Sequence, residues 1–360
     1  MLYVNDVEKI KARWSAFWNG EIIDRCLAVV TAGRSALSDE ERKIMRIPSD
    51  PAELARYWTD AEWVTKRRRI ALEHTWFGGD AFPLTHIDLG AAGHAGFFKG
   101  AEHSFDKNTV WFKPTLEDLD DLEFDEDSFL YKKTLELARA AAEDSKGEYM
   151  ISMSDCSGNV DVLSHLLGSE ELMIRMIEEP EKVCKAMEKI QFAYQKIHQE
   201  TFDIVKDVNS GGSCVGWLRT WAPGFHAQMQ SDMSVMLSND MFKQFVEPEL
   251  RAQSELLDYA LYHLDGVEQL RHLDTLLSID GLHTIQWTQV VGQPPCTEFI
   301  PELQKIQLAG KNLLIRVTTP SQIEPLMQNL SSRGLCLLVA ARSSEEGKSI
   351  LKNIEKWTHE

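Results

Sequence analysis

The chain lacks the segments that carry proteins into membranes, and it is short of positive charge. No apolar run among its 360 residues approaches the length of a membrane span. The first fourteen residues carry charges every few positions, which a signal peptide does not. The formal net charge is -18, from 38 basic and 56 acidic side chains. Because such a surface repels phosphate backbones and anionic lipid, we expect a cytoplasmic protein without nucleic-acid or membrane partners.

Several common signatures of enzyme chemistry are also missing. The six cysteines are spread along the chain without a CxxC pair, which is typical of reduced thiols rather than of a disulfide framework. The sequence has no phosphate-binding P-loop, no GxSxG nucleophile elbow and no HExxH zinc motif. Its function must therefore be sought in the fold and in isolated polar residues.

Short apolar runs alternate with amphipathic segments, which predicts parallel strands joined by helical crossovers. Nine candidate strands lie at residues 27–33, 82–88, 149–155, 213–217, 231–237, 259–263, 284–287, 313–317 and 335–340. The candidate at 231–237 is either a strand or a short connector. About eight such units close into a (β/α)8 TIM-type barrel, which is the predicted fold. An open doubly wound sheet is the alternative, although no GxGxxG motif follows an early strand.

We expect a single barrel domain over residues 1–360, because no linker rich in proline or serine divides the chain. Residues 1–26 are predicted to form an N-terminal helical extension with apolar residues at three- and four-residue steps. Residues 90–125 are rich in glycine and aromatic residues and lack a helical period. They are predicted to be an insertion over the barrel mouth.

The strongest functional candidates lie at the end of the strand predicted at 259–263. Catalytic side chains of α/β barrels stand at the carboxyl ends of the strands. His263 and Asp265 are two residues apart, so an extended backbone turns both side chains to the same face, and Gly266 lets the chain turn away. The pair could bind a metal ion or act in acid–base chemistry. It could equally be a hydrogen bond that only fixes a loop.

Other polar or aromatic residues near strand ends supply further candidates. Asp232, two residues after Gln230, is a general base, a substrate ligand or a helix cap. Asp155 ends the strand at 149–155 and faces either the pocket or a turn. The remaining substrate-binding candidates are Trp217, Trp221, His226, Gln286 and Trp287. Any one of the tryptophans could instead pack in the core.

The order of several motifs resembles the uroporphyrinogen decarboxylase superfamily. The matching stretches are Gln230–Ser238, Met241–Phe242, Phe245–Pro248, Tyr262–Gly266, and the earlier Gly158–Leu172 and Glu179–Val183. The resemblance covers most of the chain and implies a (β/α)8 barrel with a deep pocket, often in a homodimer. It implies one of two reactions: cofactor-free decarboxylation of an octacarboxylate tetrapyrrole, or methyl transfer to or from a corrinoid carried by a separate protein. Some methyltransferases of the superfamily bind zinc through a His-x-Cys pair and a later cysteine.

The sequence departs from both branches of this superfamily. The arginine-rich loop of the decarboxylases is absent, since the corresponding region holds only Arg25 and Arg34. Eight carboxylates require several bidentate arginines. His263 matches the zinc-binding histidine, but Asp265 stands where the first cysteine would be. No cysteine follows the last strand near residues 341–342.

The resemblance therefore favours a corrinoid-linked methyltransferase with an altered site. His263 and Asp265 would bind a metal ion, with zinc as the candidate, or act as an acid–base pair. Asp232, Gln230 and Asp155 would position the substrate. Two alternatives stay open: a decarboxylase or lyase on a small carboxylic acid, using a cation such as Arg219, Arg34 or Arg342, and a barrel that binds a ligand or corrinoid partner without catalysis.

Overall fold

The computed structural model describes residues 1–359 as an alternation of helices and short strands. The helices are α1 (Val7–Trp18), α2 (Asp39–Met45), α3 (Pro51–Thr59), α4 (Ala61–Glu73), α5 (Phe129–Ser145), α6 (Asn159–Leu167), α7 (Ser169–Glu178), α8 (Pro180–Val205), α9 (Asn239–Met241), α10 (Glu247–Leu256), α11 (Leu273–Leu277), α12 (Ile300–Leu308), α13 (Ile323–Asn329) and α14 (Ser344–Trp357). The strands are β1 (Leu27–Gly33), β2 (Thr75–Gly79), β3 (Leu84–Ile87), β4 (Glu102–Phe105), β5 (Val110–Lys113), β6 (Met150–Ser154), β7 (Ser213–Val215), β8 (Thr220–Ala222), β9 (His226–Met229), β10 (Tyr259–Asp265), β11 (Leu282–Thr288), β12 (Asn312–Val317) and β13 (Leu335–Ala340). Short 3-10 turns lie at Gly93–Phe97, Leu119–Asp121, Asp232–Met236, Val267–His272, Cys296–Phe299 and Pro320–Gln322, with a π-helical turn at Phe242–Val246.

Seven of the strands form one sheet in the spatial order β2, β1, β13, β12, β11, β10 and β9. Every neighbouring pair in this sheet is parallel except β1 and β2, which are antiparallel. Strands β3 and β6 form a separate parallel pair, and β4–β5 and β7–β8 are antiparallel hairpins. The predicted α/β class with mainly parallel strands is therefore confirmed.

Closure of the sheet into a barrel is not confirmed. Within residues 1–359 the seven-stranded sheet ends at β2 on one side and at β9 on the other. Side chains bind the backbone where strand pairing is missing: Asp80 accepts a hydrogen bond from the backbone nitrogen of Ala28 (2.9 Å). The Asn209 amide bonds both backbone groups of Ile151, at 2.9 and 2.7 Å. These polar side chains satisfy backbone groups that a continuous ladder would otherwise pair.

The two faces of the sheet pack into different cores, because side chains alternate along a strand. Leu27 and Val29 of β1, Leu314 of β12 and Cys336 of β13 pack with α1 and the β7–β8 hairpin. We call this smaller cluster the inner core, the face of the sheet that bears it the inward face, and the opposite face the outer face. The intervening side chains pack in the larger core with the surrounding helices. Helix α1 lies at the amino ends of the strands, where Asn312, the first residue of β12, donates to the carbonyl of Trp18 at 3.2 Å. Helix α1 therefore does not cover the carboxyl ends of the strands, where a functional site is expected.

Of the two alternatives for the segment 231–237, the connector is found: it contains the 3-10 turn Asp232–Met236. The strand of this region is β9, immediately before it, and was not predicted. The sequence HAQM of β9 has no β-branched residue and follows Pro223-Gly224, so it gives little strand signal. Strands β2, β4, β5 and β8 were also not predicted. The segment 90–125 consists of the β4–β5 hairpin between two 3-10 turns.

Residues 1–359 contain neither a membrane-spanning helix nor a disulfide bond. Over this range none of the helices combines the length and the apolar character needed to span a bilayer. The six cysteines are all unpaired, and five of them are buried. Cys214 lies in the inner core with its sulfur 3.7 Å from that of Met150.

Candidate metal and substrate site

Three of the predicted site residues come together at the carboxyl ends of β9 and β10. Asp232, His263 and Asp265 each offer a ligand atom, and these atoms lie within 4.8 Å of one another. His263 and Asp265 point to the same face of β10, as their spacing predicted, and His263 Nε2 lies 3.7 Å from Asp265 Oδ1. Asp232 begins the 3-10 turn that follows β9, the parallel neighbour of β10. One imidazole and two carboxylates form a donor set suited to a divalent metal ion.

The tautomer of His263 is determined by Gln286 on the adjacent strand. The two residues are partners in the parallel register of β10 and β11. His263 Nδ1 donates to Gln286 Oε1 at 2.5 Å, while Gln286 Nε2 donates to Thr288 Oγ1 at 2.8 Å. The Nε2 lone pair of His263 is therefore directed toward Asp265. Burial lowers the pKa of His263, and a neutral imidazole is the form that binds metal.

Gln269, which the sequence analysis missed, ties the ends of β9 and β10 together. Its Oε1 accepts hydrogen bonds from the backbone nitrogen of Asp265 (3.2 Å) and from the hydroxyl of Tyr262 (3.3 Å). Its Nε2 donates to the carbonyl of Ser231 at 3.0 Å. The side chain is fully buried, so these bonds hold Asp265 and the segment before Asp232 in one arrangement.

Asp232 does not act as a helix cap, which was one of its predicted roles. The buried Asp161 accepts from the backbone nitrogens of Asp232 (3.0 Å) and Met233 (2.8 Å) instead. The carboxyl group of Asp232 reaches solvent and is 3.4 Å from Gln230 Nε2. The protein around it removes part of its hydration, and the carboxylates of Asp161, Asp265 and Asp155 repel its charge. Together these effects raise the pKa of Asp232 to about 8.

A second polar group surrounds Asp155, at the end of β6. Gln228 Nε2 donates to Asp155 Oδ1, and His86 Nε2 lies 3.7 Å from Asp155 Oδ2. Burial, with a smaller contribution from Asp88, raises the pKa of Asp155 to about 7. Burial likewise lowers the pKa of His86 to about 4, so this histidine is neutral at physiological pH. His86 and Asp88 follow the pattern of polar strand ends but were not singled out from the sequence.

Trp217 lies beside His263, and two arginines lie near Trp217. The indole of Trp217 packs edge-to-face against the imidazole with ring centroids 4.7 Å apart. The guanidinium of Arg316 lies 5.5 Å from the centroid of the Trp217 ring and donates to the Trp217 carbonyl at 3.1 Å. Arg219 follows in the same β7–β8 turn. Trp217 therefore contacts one of the candidate ligands, and Arg316, which the sequence analysis did not single out, lies against Trp217.

Three predicted residues lie away from this group. Trp221 is in the inner core, with its Nε1 donating to the Asn209 carbonyl at 3.0 Å. His226 begins β9 and contacts Trp18 of α1, with ring centroids 4.8 Å apart, at the opposite end of the strand. Trp287 packs on Phe299 on the outer face. Since Gln286 faces inward, its neighbour Trp287 must face outward.

The other proposed cations are also remote from the group. The guanidinium of Arg34 stacks on the ring of Tyr3 at 4.4 Å. Arg342 is highly exposed and forms an ion pair with Glu346 at 2.5 Å. Of the cations named from the sequence, only Arg219 lies near the group. It is close enough to Arg316 for that charge, together with burial, to lower the pKa of Arg219.

A cleft of about 480 Å³ opens beside Asp232 and Asp265. Its other walls are formed by Glu268, Gln269 and the loop at 290–293 that follows β11. A small molecule in this cleft would meet both carboxylates directly. The geometry thus provides a ligand-sized space next to the three candidate metal ligands.

No family model and no curated protein matches the sequence. Among solved structures, a methyltransferase from Methanosarcina mazei is similar, with a TM-score of 0.64 and 13% sequence identity. The alignment covers 97% of this chain and 98% of that chain. At this level of identity, the similarity shows a common fold over nearly the whole length of both proteins.

Proposed function

We propose that this protein is a metal-dependent methyltransferase, which moves a methyl group between a small methylated substrate or carrier and a corrinoid held by a separate protein. The observation that carries the proposal is the convergence of Asp232, His263 and Asp265 at the carboxyl ends of adjacent strands. The methyltransferase with a similar fold and the resemblance of the sequence motifs both support it. A closed (β/α)8 barrel and a homodimer belong to the same proposal.

The residues present fit a catalytic metal site. Three protein ligands leave a coordination position open, as catalytic zinc sites do, and Gln286 fixes the non-ligating nitrogen of His263. Zinc is our candidate, and when bound it would supply Lewis-acid polarisation of the substrate heteroatom. Two carboxylate ligands make a harder site than cysteine thiolates. We therefore propose that the methyl group is carried by oxygen or nitrogen rather than by sulfur.

The protein's own residues have distinct proposed roles in the transfer. The bond between the methyl carbon and the heteroatom breaks, a bond from that carbon to cobalt(I) of the corrinoid forms with the cobalt electron pair, and the heteroatom takes up a proton. Gln230 and Asp155 would position the substrate by hydrogen bonds. Asp155 remains protonated to about pH 7, so it can donate one of these bonds. Trp217 forms an apolar wall beside His263.

Metal content and methyl transfer test the proposal together. Purified protein reconstituted with zinc is expected to hold about one ion per chain and to methylate cob(I)alamin from a panel of O- and N-methyl compounds, followed by the cobalamin absorption spectrum. His263→Ala, Asp265→Ala and Asp232→Ala should lower both zinc content and transfer. Asp240→Ala, an exposed position in the same region, is the matched control. A zinc-free wild type and an unimpaired His263→Ala variant would refute the proposal.

A decarboxylase or lyase on a small carboxylic acid is the second candidate. The observation in its favour is the presence of Arg316 and Arg219 near Trp217 and His263, because such a reaction needs a cation close to the substrate carboxylate. A panel of small carboxylic acids, assayed in parallel with the methyl compounds, distinguishes the two reactions. Release of CO2 without any change in the cobalamin spectrum would favour this candidate over methyl transfer.

A further inference from the structure

Two arginines beside the candidate site have no acidic partner, although the chain carries an excess of acid. Within residues 1–359, the Arg219 side chain makes neither a hydrogen bond nor an ion pair, and that of Arg316 bonds only the Trp217 carbonyl. Arg25 is paired with Asp80 at 2.6 Å and Arg69 with Asp144 at 2.6 Å, whereas Arg67 and Arg68 of α4, away from the site, also have no acidic partner among the described residues. Unpaired guanidinium groups away from bulk water carry a desolvation cost that a bound anion would offset.

The fold directs both arginines to the carboxyl ends of the strands. Arg316 lies on β12, two residues after Leu314, so it shares the inward face of that strand. Arg219 closes the tight turn between β7 and β8, with its backbone nitrogen 3.2 Å from the Gly216 carbonyl. Its φ of 53° is in the left-handed region, which favours glycine. Arg219 therefore has a backbone conformation that glycine adopts at a lower energetic cost.

Trp217 connects the two arginines to the candidate metal ligands. Its ring contacts both the His263 imidazole and the Arg316 guanidinium. Arg219 is close enough to Arg316 for the two charges to repel, and burial lowers the pKa of each. Asp265 attracts Arg316 but lies beyond ion-pair distance, since no such pair occurs within 4.0 Å among the described residues. A region of positive charge thus lies next to an acidic metal site.

We propose that Arg219 and Arg316 bind a carboxylate of the substrate, so that the substrate is a small methylated carboxylic acid. The planar guanidinium matches a carboxylate in bidentate geometry, and two of them can bind both oxygens. The methyl-bearing end then lies toward Asp232, His263 and Asp265. This orientation rests on the proposed function, whereas the binding of the carboxylate does not.

Binding of matched probes to the zinc-reconstituted protein tests the inference. The probes are methoxyacetate, its neutral counterpart 2-methoxyacetamide, and inorganic phosphate, measured by ligand-observed NMR without corrinoid. We expect the acid to bind at least tenfold more tightly than the amide. Arg219→Gln and Arg316→Gln should each weaken binding of the acid about tenfold and leave that of the amide unchanged. Arg342→Gln, which removes an exposed and paired arginine, is the control and should change neither.

Several outcomes would overturn the inference. Equal affinity of the wild type for acid and amide, including undetectable binding of both, contradicts it without any need for a variant. Retention of the acid preference in the folded double variant Arg219→Gln/Arg316→Gln also contradicts it, with circular dichroism as the check on folding. Tighter binding of phosphate than of the acid contradicts the choice of a carboxylate. An intact acid preference in a protein without methyl transfer would refute the proposed function but preserve this inference.

Discussion

Gln286 accepts a hydrogen bond from Nδ1 of His263 across two adjacent parallel strands, and this bond leaves Nε2 of the histidine facing Asp265. The two residues are register partners, so the backbone ladder of β10 and β11 holds them opposite each other. Gln286 is fully buried, and Thr288 fixes the orientation of its amide. The relationship gives Gln286 a defined role in any chemistry that uses His263.

Replacement of Gln286 should therefore weaken metal binding without removing a ligand. We expect Gln286→Leu to lower zinc affinity about 10- to 100-fold, because the imidazole loses the partner that selects its tautomer. Gln286→Glu should retain affinity, since a carboxylate also accepts from Nδ1. Competition with a chromogenic chelator measures the affinities. Gln304→Leu, at an exposed position on α12, is the control, and an unchanged affinity in Gln286→Leu would argue against the role.

Asp265 is expected to set the metal preference of the site. Asp265→Cys replaces a hard oxygen donor with a soft thiolate. We expect the variant to gain affinity for cadmium relative to zinc, and to show a thiolate-to-cadmium charge-transfer band in the ultraviolet. Asp274→Cys, on an exposed residue of α11, controls for adventitious thiol binding. Absence of the band in the Asp265 variant would place the metal elsewhere.

The buried carboxyl of Asp155 should make stability depend on pH. The pKa of Asp155 is about 7 in the folded protein and about 4 in an unperturbed aspartate, so the folded protein binds the proton more tightly than the unfolded chain does. Its contribution is fully present below about pH 4 and is lost as the pH rises toward 7. At about 1.4 kcal/mol per pKa unit, the free energy of unfolding falls by at most about 4 kcal/mol from this group.

The Asp155→Asn variant isolates that contribution, because the amide stays neutral at every pH. Urea denaturation at pH 5, 7 and 8 should show a flatter pH profile for the variant and a smaller stability deficit, or a gain, at the highest pH. Asp207→Asn, at an exposed position after α8, should follow the wild type. Parallel profiles for the wild type and Asp155→Asn would contradict the raised pKa of Asp155.

Asp80 is expected to be the most sensitive ionic position for folding. Its completely buried carboxylate accepts from Arg25 Nη1 at 2.6 Å, from Arg13 Nη1 at 3.2 Å and from the backbone nitrogen of Ala28 at 2.9 Å. Asp80→Ala leaves the buried Arg25 without an acidic partner, so unfolding should become easier by about 3–5 kcal/mol. Chemical denaturation measures this loss.

The control for Asp80 is Asp24, which pairs with the same Arg13 at 2.6 Å but is partly exposed. Asp24→Ala should cost about 1 kcal/mol or less, because water solvates the charges that remain. Similar losses for the two variants would mean that the Asp80 network adds little stability beyond a surface ion pair.

The strand–helix alternation of the second half was predictable because local signals agree there. The predicted strand at 335–340 matches β13, and the one at 313–317 matches β12 to within one residue. Both are apolar runs bounded by turn residues, which local pattern identifies well. Strand β9 was missed because its four residues have weak strand propensity, and its place in the sheet comes from pairing with β10.

The sequence by itself determined that His263 and Asp265 share a face, because a two-residue spacing on a strand leaves no other arrangement. It also determined the acidic charge and the mainly parallel α/β class. Only the tertiary structure decided which distant residues meet this pair. Asp232, Gln286 and Arg316 come from three further segments, and strand order and register bring them together. The register also places Gln286 on the inward face opposite His263. Its neighbour Trp287 therefore lies on the outer face, since neighbouring side chains face opposite sides of a sheet.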